Sequence, residues 1–157
     1  NQQRMDRLDK RAKLQPKWEE VLGNLSRSYV MLTITEAWCG DAAQNVPLID
    51  LIAQNTPQIE HRLVLRDENL ELMARYLTDG AKSIPKTAIF DTETGEEVGS
   101  WGPRPATAQE MVMAYKALPD PKPPYGEMVK DVQLWYAKDR TASAQQELLE
   151  LFKEMES

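Results

Sequence analysis

Residues 37–42 of this chain read AWCGDA and contain its single cysteine, Cys39. They follow an apolar, β-branched run and precede a helical pattern. A thiol at the start of a helix faces unpaired backbone N–H groups and the positive end of the helix dipole, which favour the thiolate. Trp38 would shield one side of the sulfur, and Gly40 would let the backbone turn closely. Free cysteines are also among the most buried residues, so a reactive and a structural thiol are both open.

A second stretch, residues 80–85 (GAKSIP), leads into a predicted strand. Proline is tolerated at the first position of a strand, and the bond before proline is where cis peptides occur. The Ile84–Pro85 bond is therefore a candidate cis peptide, although an ordinary trans loop proline is the commoner case.

Hydrophobic periodicity predicts the elements that would position these residues. Strands are expected at 29–35, 61–65, 87–90 and 97–101, and helices at 1–15, 16–25, 42–54, 67–77 (with Asp67 as its cap) and 106–118. Long helical connections come first and a tight turn last. That order predicts one mixed sheet in which early strands are parallel and the last two antiparallel.

The C-terminal part is predicted to be helical. Four prolines within 119–124 predict a stiff linker, followed by helices at 127–138 and 143–156. Four apolar residues line one face of the last helix: Leu148, Leu149, Phe152 and Met155. Such a face must be buried against its own domain or against a second copy. We therefore expect a helical segment (1–28), a core (29–118) and an extension (119–157), with a homodimer through the extension as one alternative.

Composition excludes several classes of protein. The 157 residues include 19 basic and 25 acidic side chains and a net charge of -6, which argues against nucleic acid as a partner. No apolar run approaches the length of a membrane span, and the opening lacks a signal-peptide core. One cysteine and the lone His61 form neither a disulfide nor a zinc site, so no metal or cofactor is expected. Cysteine poverty favours a cytoplasmic location for this soluble chain.

Together these residues resemble the thioredoxin-like superfamily, within it a bacterial family with a WCGDA motif. Residues 38–42 stand where the superfamily has Trp-Cys-Gly-Pro-Cys, and residues 80–85 are similar to the stretch around its cis-proline. Pro85 follows Cys39 by 46 residues, close to the family spacing. The resemblance covers about 29–118 and implies a thioredoxin-like α/β fold with helices flanking a mixed sheet.

Two departures from the family pattern define the functional hypothesis. Ala42 replaces the second cysteine, and Thr33 replaces the buried acid. The resemblance then implies monothiol thiol–disulfide exchange, in which Cys39 forms a mixed disulfide that an external thiol such as glutathione resolves. Partners would be protein disulfides or small thiols. Asp41 opposes the thiolate while the helix end favours it, so the sign of the pKa shift stays open. The alternative is a binding module without catalysis that uses the groove beside the proline.

Further residues are candidates for this groove. The resemblance implies that Ile84 and Pro85 shape it and that Trp38 and Trp101 wall it. Arg104, in the loop after the last strand, is a candidate partner for a glutathione or peptide carboxylate, although most loop arginines have no such role.

Five other side chains have weaker assignments. Arg66 lies at the carboxyl end of a strand, near where sites form in parallel sheets. Glu36 is a candidate proton acceptor in place of the missing acid. His61 is expected at the surface, and the pair 135–136 (Trp-Tyr) is expected to anchor the extension by packing.

Overall fold

A computed structural model describes Gln3 and residues 13–157. The helix predicted over 1–15 lies almost entirely outside the described residues. Residues 13–157 form four strands and six α-helices, in this order: α1 (Lys17–Gly23), β1 (Tyr29–Thr35), α2 (Gly40–Gln54), β2 (Ile59–Leu65), α3 (Leu70–Met73), β3 (Lys86–Asp91), β4 (Glu97–Trp101), α4 (Ala106–Lys116), α5 (Tyr125–Asp139) and α6 (Ala142–Glu156). The predicted strands are confirmed to within about two residues, and so are the helices predicted at 16–25, 42–54, 106–118, 127–138 and 143–156.

The four strands form one mixed sheet in the order β2-β1-β3-β4. β1 is parallel to β2 and antiparallel to β3, and β3 is antiparallel to β4. β1 lies between β2 and β3, and it carries buried side chains on both of its faces, Met31 and Thr33 on one and Ile34 on the other. The predicted thioredoxin-like α/β architecture is confirmed.

The helix predicted from Asp67 onward is much shorter than expected. A single 3-10 turn (Arg66–Glu68) precedes α3, and Asn69 between them has non-helical backbone angles (φ -137°, ψ 50°). Asp67 does not cap the helix, because the helix begins at Leu70 and its N-cap residue is Asn69. The Asp67 carboxylate accepts a hydrogen bond from Arg66 Nε at 3.0 Å.

The C-terminal helices pack against the rest of the chain. α6 contacts α1 and β4, and α5 contacts α4. The apolar face of α6 enters the main hydrophobic cluster, where Leu148 and Phe152 are fully buried together with Trp18 and Tyr29. Each such side chain contributes about 2–3 kcal/mol through burial. Of the two expected destinations for this face, its own domain is the one observed. A homodimer through the extension stays a prediction, and the apolar face of α6 no longer supports it.

No helix in the described part of the chain is both long and apolar enough to cross a membrane.

Candidate functional site

Cys39 is the N-cap residue of α2, at the end of the central strand. Its Sγ accepts a hydrogen bond from the backbone N–H of Ala42 at 3.4 Å, and its thiol donates one to the carbonyl oxygen of Ile84 at 3.3 Å. The Ile84–Pro85 peptide bond is cis. The fold therefore brings the two stretches singled out in the sequence into direct contact.

Burial raises the pKa of the Cys39 thiol, and this is the largest influence on it. The N–H groups of Ala42 and Asp41 lower the pKa, the Asp41 carboxylate raises it, and the Arg104 guanidinium lowers it. The net direction is upward. The thiol at rest is therefore neutral near pH 7, because the helix end does not compensate for lost solvation.

The surroundings of the sulfur are apolar. Cys39 is 8% exposed and packs in a cluster with Ile34, Val46, Met73 and Ile84. Ala42, which stands at the family's second cysteine, is 3% exposed in the same cluster. An alanine methyl fills this position, so the described site contains one thiol.

A chain of polar side chains, buried at Thr33 and half exposed at its outer end, Asp50, occupies the place of the missing acid. The Thr33 hydroxyl is within 2.7 Å of the Thr87 hydroxyl and 2.8 Å of His61 Nε2, and His61 Nδ1 is 3.1 Å from Asp50 Oδ1. The His61 side chain is 3% exposed, so the expectation of a surface histidine was wrong. Its ring is covered because it lies between the β1 hydroxyl of Thr33 and the α2 carboxylate of Asp50.

Asp41 faces a charged and hydrogen-bonded environment. Arg104 Nη2 donates to its Oδ2 at 2.9 Å, and the Tyr136 hydroxyl donates to its Oδ1 at 2.7 Å. Arg104 also donates to Gln109 Oε1 at 2.7 Å, and its side chain is only 12% exposed. Arg104, a candidate partner for a ligand carboxylate in the sequence, is paired in the structure with the Asp41 carboxylate instead.

Tyr136 is the site residue that the sequence did not reveal. It lies 95 residues after Asp41, and its hydroxyl also accepts a hydrogen bond from Asn45 Nδ2 at 3.1 Å. Burial and the Asp41 carboxylate raise the pKa of its hydroxyl. The spacing of Met128, Val132 and Tyr136 on one face of α5 marks it as inward-facing, but does not indicate its partner.

Trp38 and Arg66 lie together on the exposed side of the site. Trp38 is 60% exposed, and the Arg66 guanidinium is 4.9 Å from the centre of its ring. Arg66 Nη1 donates to the carbonyl oxygen of Lys82 at 3.1 Å, so it bridges the indole and the loop before Pro85.

The Glu36 carboxylate accepts a hydrogen bond from the backbone N–H of Asp67 at 2.9 Å. That contact removes the reason to assign it as proton acceptor for Cys39.

Trp101 does not line this surface. It is 8% exposed within the main cluster, and its Nε1 donates to Glu147 of α6 at 3.0 Å. The expectation that it walls a groove was wrong, because α6 covers it.

Gly102, the next residue, has a φ of +118°, and a Cβ there would lie 2.3 Å from the carbonyl oxygen of Pro85. Only glycine fits this close approach of the loop to the proline.

Several cavities open on the described residues. One of about 130 Å³ adjoins the site and is lined by Asp41, Arg104, Tyr136 and apolar residues of α4 and α5. A larger one of about 750 Å³, beside Trp18 and Leu51, shares no residue with the Cys39 site. Among the described residues, no three His, Cys, Asp or Glu side chains are placed to hold a metal ion.

The mixed sheet, with a cysteine at the start of its first long crossover helix and a cis-proline beside that cysteine, defines a thioredoxin-like domain. A protein-family model described as thioredoxin matches residues 1–117. The chain belongs to this thioredoxin family. No curated protein matches the sequence.

The solved structures that share the fold include two that match nearly the whole chain. A protein of unknown function from Pseudomonas aeruginosa has a TM-score of 0.66 at 18% identity, covering 96% of this chain and 80% of its own. An HIV epitope scaffold has a TM-score of 0.64 at 18% identity, covering 96% of this chain and 81% of its own. At such identity the likeness concerns the fold alone.

Proposed function

We propose that this protein carries out thiol–disulfide exchange through the single thiol of Cys39. The observation that carries the proposal is the position of Sγ, which accepts the Ala42 N–H at the start of α2 and lies 3.3 Å from the carbonyl oxygen of Ile84. A disulfide that reaches this corner meets the sulfur, the helix N-terminus and the exposed Trp38 ring together.

In the first step the thiol loses its proton to solvent and the Cys39 thiolate attacks one sulfur of a disulfide R–S–S–R′. The bond between Cys39 and the R sulfur forms, the original S–S bond breaks, and R′–S⁻ leaves and takes a proton from water. The Ala42 N–H and the helix dipole stabilise the negative charge on the attacking sulfur. The Arg104 guanidinium acts in the same direction.

The second step needs a thiol from outside, because Ala42 takes the place of the family's second cysteine. A thiolate R″–S⁻, such as that of reduced glutathione, attacks the R sulfur of the mixed disulfide. Cys39 leaves as thiolate and regains a proton, and R–S–S–R″ is released. One disulfide has been exchanged for another, and the protein returns to its initial state.

Intact-mass spectrometry tests this cycle. The reduced protein is mixed with oxidised glutathione and quenched with acid, and we expect one glutathione adduct that reduced glutathione then removes. Cys39→Ser is the matched control and should stay unmodified. Failure of the folded protein to form the adduct, under conditions where the urea-unfolded chain forms it, would contradict the proposal.

A second candidate function, a binding module without catalysis, is favoured by one observation. The thiol is buried with a raised pKa and donates a hydrogen bond to the carbonyl oxygen of Ile84, as a neutral structural thiol does. An extended peptide could still pair with the backbone beside Pro85 and contact Trp38. Selection from a displayed peptide library tests this candidate: binding should survive Cys39→Ser and be lost in Trp38→Ala. Loss of binding in Cys39→Ser would argue against it.

A further inference from the structure

The Asp41 carboxylate is bound from two directions by residues remote in sequence. Arg104, from the loop after β4, holds Oδ2 at 2.9 Å, and Tyr136, from α5, holds Oδ1 at 2.7 Å. The Asp41 and Arg104 side chains are 20% and 12% exposed. Both carboxylate oxygens are therefore engaged in a setting with little solvent screening.

The contact from α5 is itself held in place. Asn45 of α2 donates to the Tyr136 hydroxyl at 3.1 Å and to the carbonyl oxygen of Pro103 at 3.3 Å. Tyr136 therefore connects α5 with the helix that begins at Cys39 and with the loop that carries Arg104. It lies beyond residue 117, where the family match ends.

Asp41 acts on the neighbouring sulfur in two opposite ways. Its carboxylate raises the pKa of Cys39 while its backbone N–H lowers it, and Arg104 lowers it as well. A cavity of about 130 Å³ is lined by Asp41, Arg104 and Tyr136, so the three side chains border one space. The effect of Asp41 on the thiol therefore depends on both partners.

We propose that Arg104 and Tyr136 are positioning residues for the Cys39 site: both hold the Asp41 carboxylate, Arg104 also balances its charge, and the contact from Tyr136 makes the reactivity of the thiol depend on helix α5. The inference rests on the proposed exchange function and adds the C-terminal extension as a determinant of it. Tyr136 acts through Asp41, so removing Asp41's charge must remove the effect of Tyr136.

The rate of iodoacetamide alkylation of Cys39, followed by mass spectrometry across pH 6–10 in the full chain, tests the proposal without requiring exchange activity. The variants are Arg104→Met, Tyr136→Phe and Asp41→Asn. Tyr115→Phe removes an exposed hydroxyl bonded to Pro123, and Arg62→Met removes an exposed arginine paired with Glu60. These two are the matched controls.

At pH 7.5 we expect alkylation to slow about threefold in Arg104→Met and about twofold in Tyr136→Phe, because the negative charge of Asp41 is then less well compensated near the sulfur. We expect alkylation to quicken about threefold in Asp41→Asn, because that negative charge is gone. The pH profiles should move in the same directions, and the two controls should match the wild type. In the Asp41→Asn background, adding Tyr136→Phe should leave the alkylation rate and its pH profile unchanged, because Tyr136 acts on the thiol only through the Asp41 carboxylate.

The proposal is overturned if Tyr136→Phe leaves the pH profile unchanged, or if its effect persists in the Asp41→Asn background. Asp41→Asn keeps the side chain's shape and provides an independent arm should Tyr136→Phe fail to fold. A rate that does not rise in Asp41→Asn overturns the proposal as well. Expected profiles without any glutathione adduct would refute the exchange function and leave the electrostatic role of Tyr136 standing.

Discussion

Cys39 and Asp41 are separated by one residue, yet they lie in opposite environments. The sulfur of Cys39 packs among Ile34, Val46 and Met73, and its hydrogen bonds go to backbone groups. The carboxylate of Asp41 is bound by a guanidinium and a tyrosine hydroxyl. The start of α2 thus divides an apolar thiol pocket from a polar network.

The difference shows how a buried acid can be tolerated beside a thiol. An unpaired carboxylate two residues from Cys39 would be costly to bury and would hold the thiol further toward its neutral form. Arg104 and Tyr136 reduce both effects. Burial in the apolar pocket keeps the thiol neutral at rest, and the polar network limits how far the Asp41 carboxylate raises the pKa of the thiol further.

The largest expected effect comes from Gly102→Ala, which disturbs both regions. The new Cβ would lie 2.3 Å from the Pro85 carbonyl oxygen at a φ of +118°, so the loop that carries Arg104 must move. We expect urea denaturation to show a loss of about 3 kcal/mol in the free energy of unfolding. Gly126→Ala in α5, where nothing lies within 4 Å of the added Cβ, is the control and should cause no loss. Equal stability of the two variants would contradict the close approach.

Arg104→Met removes a charged partner from the polar region. It leaves a largely buried Asp41 carboxylate with Tyr136 as its remaining side-chain partner, and we expect a loss of about 2–3 kcal/mol in urea denaturation. Adding Asp41→Asn should recover more than half of it, because the uncompensated charge is gone. Arg62→Met, at an exposed pair, should stay within about 0.5 kcal/mol of the wild type. No recovery in the double variant would mean that Arg104 stabilises by packing.

Thr33→Val tests the buried chain that replaces the family's acid. Losing the hydroxyl leaves His61 Nε2 and the Thr87 hydroxyl without this partner, and we expect a loss of about 1–2 kcal/mol in thermal or urea unfolding. Thr107→Val, at an exposed position of α4, is the matched control and should be close to neutral. A neutral Thr33→Val would show that the hydroxyl contributes nothing net.

The smallest effect concerns pH. Because burial raises the pKa of Cys39 in the folded state, the unfolded chain loses the thiol proton first. The thiol's contribution to stability is therefore complete below the unfolded pKa and is lost as pH rises through the folded pKa. Tyr29 and Tyr136 also have raised pKa values, so the wild type must be compared with Cys39→Ser. We expect the wild type's stability to fall more steeply above pH 8, and parallel curves would contradict this.

The sequence predicted the sheet and the neighbourhood of Cys39 because both depend on local signals. The run over 29–35 has apolar residues at odd and at even positions, so both faces of the strand are apolar. The spacing from Cys39 to Pro85 matches that of a known family. The polar contacts were missed because they join residues far apart. Nothing local tells that Tyr136 meets Asp41, or that α6 covers Trp101.

His61 shows the same limit within a correctly predicted strand. The periodicity of 61–65 indicated a strand but not that Asp50 and Thr33 would enclose the ring. Pairing of polar side chains across elements is set by how those elements pack, and that information is not contained in either segment alone.

The most direct test of the account is the rate of reaction with oxidised glutathione per thiolate, compared between the folded protein and the same chain unfolded in urea. Thiolate fractions come from the pH profiles of alkylation of the two states. We predict that the folded protein is slower than the unfolded chain toward iodoacetamide at pH 7.5, because its thiol is buried and neutral. Per thiolate, the folded protein should react with oxidised glutathione about tenfold faster than the unfolded chain, because the start of α2 holds the sulfur in position beside the Ala42 N–H. A folded protein that is slower in both reactions would contradict the account and leave Cys39 a structural thiol.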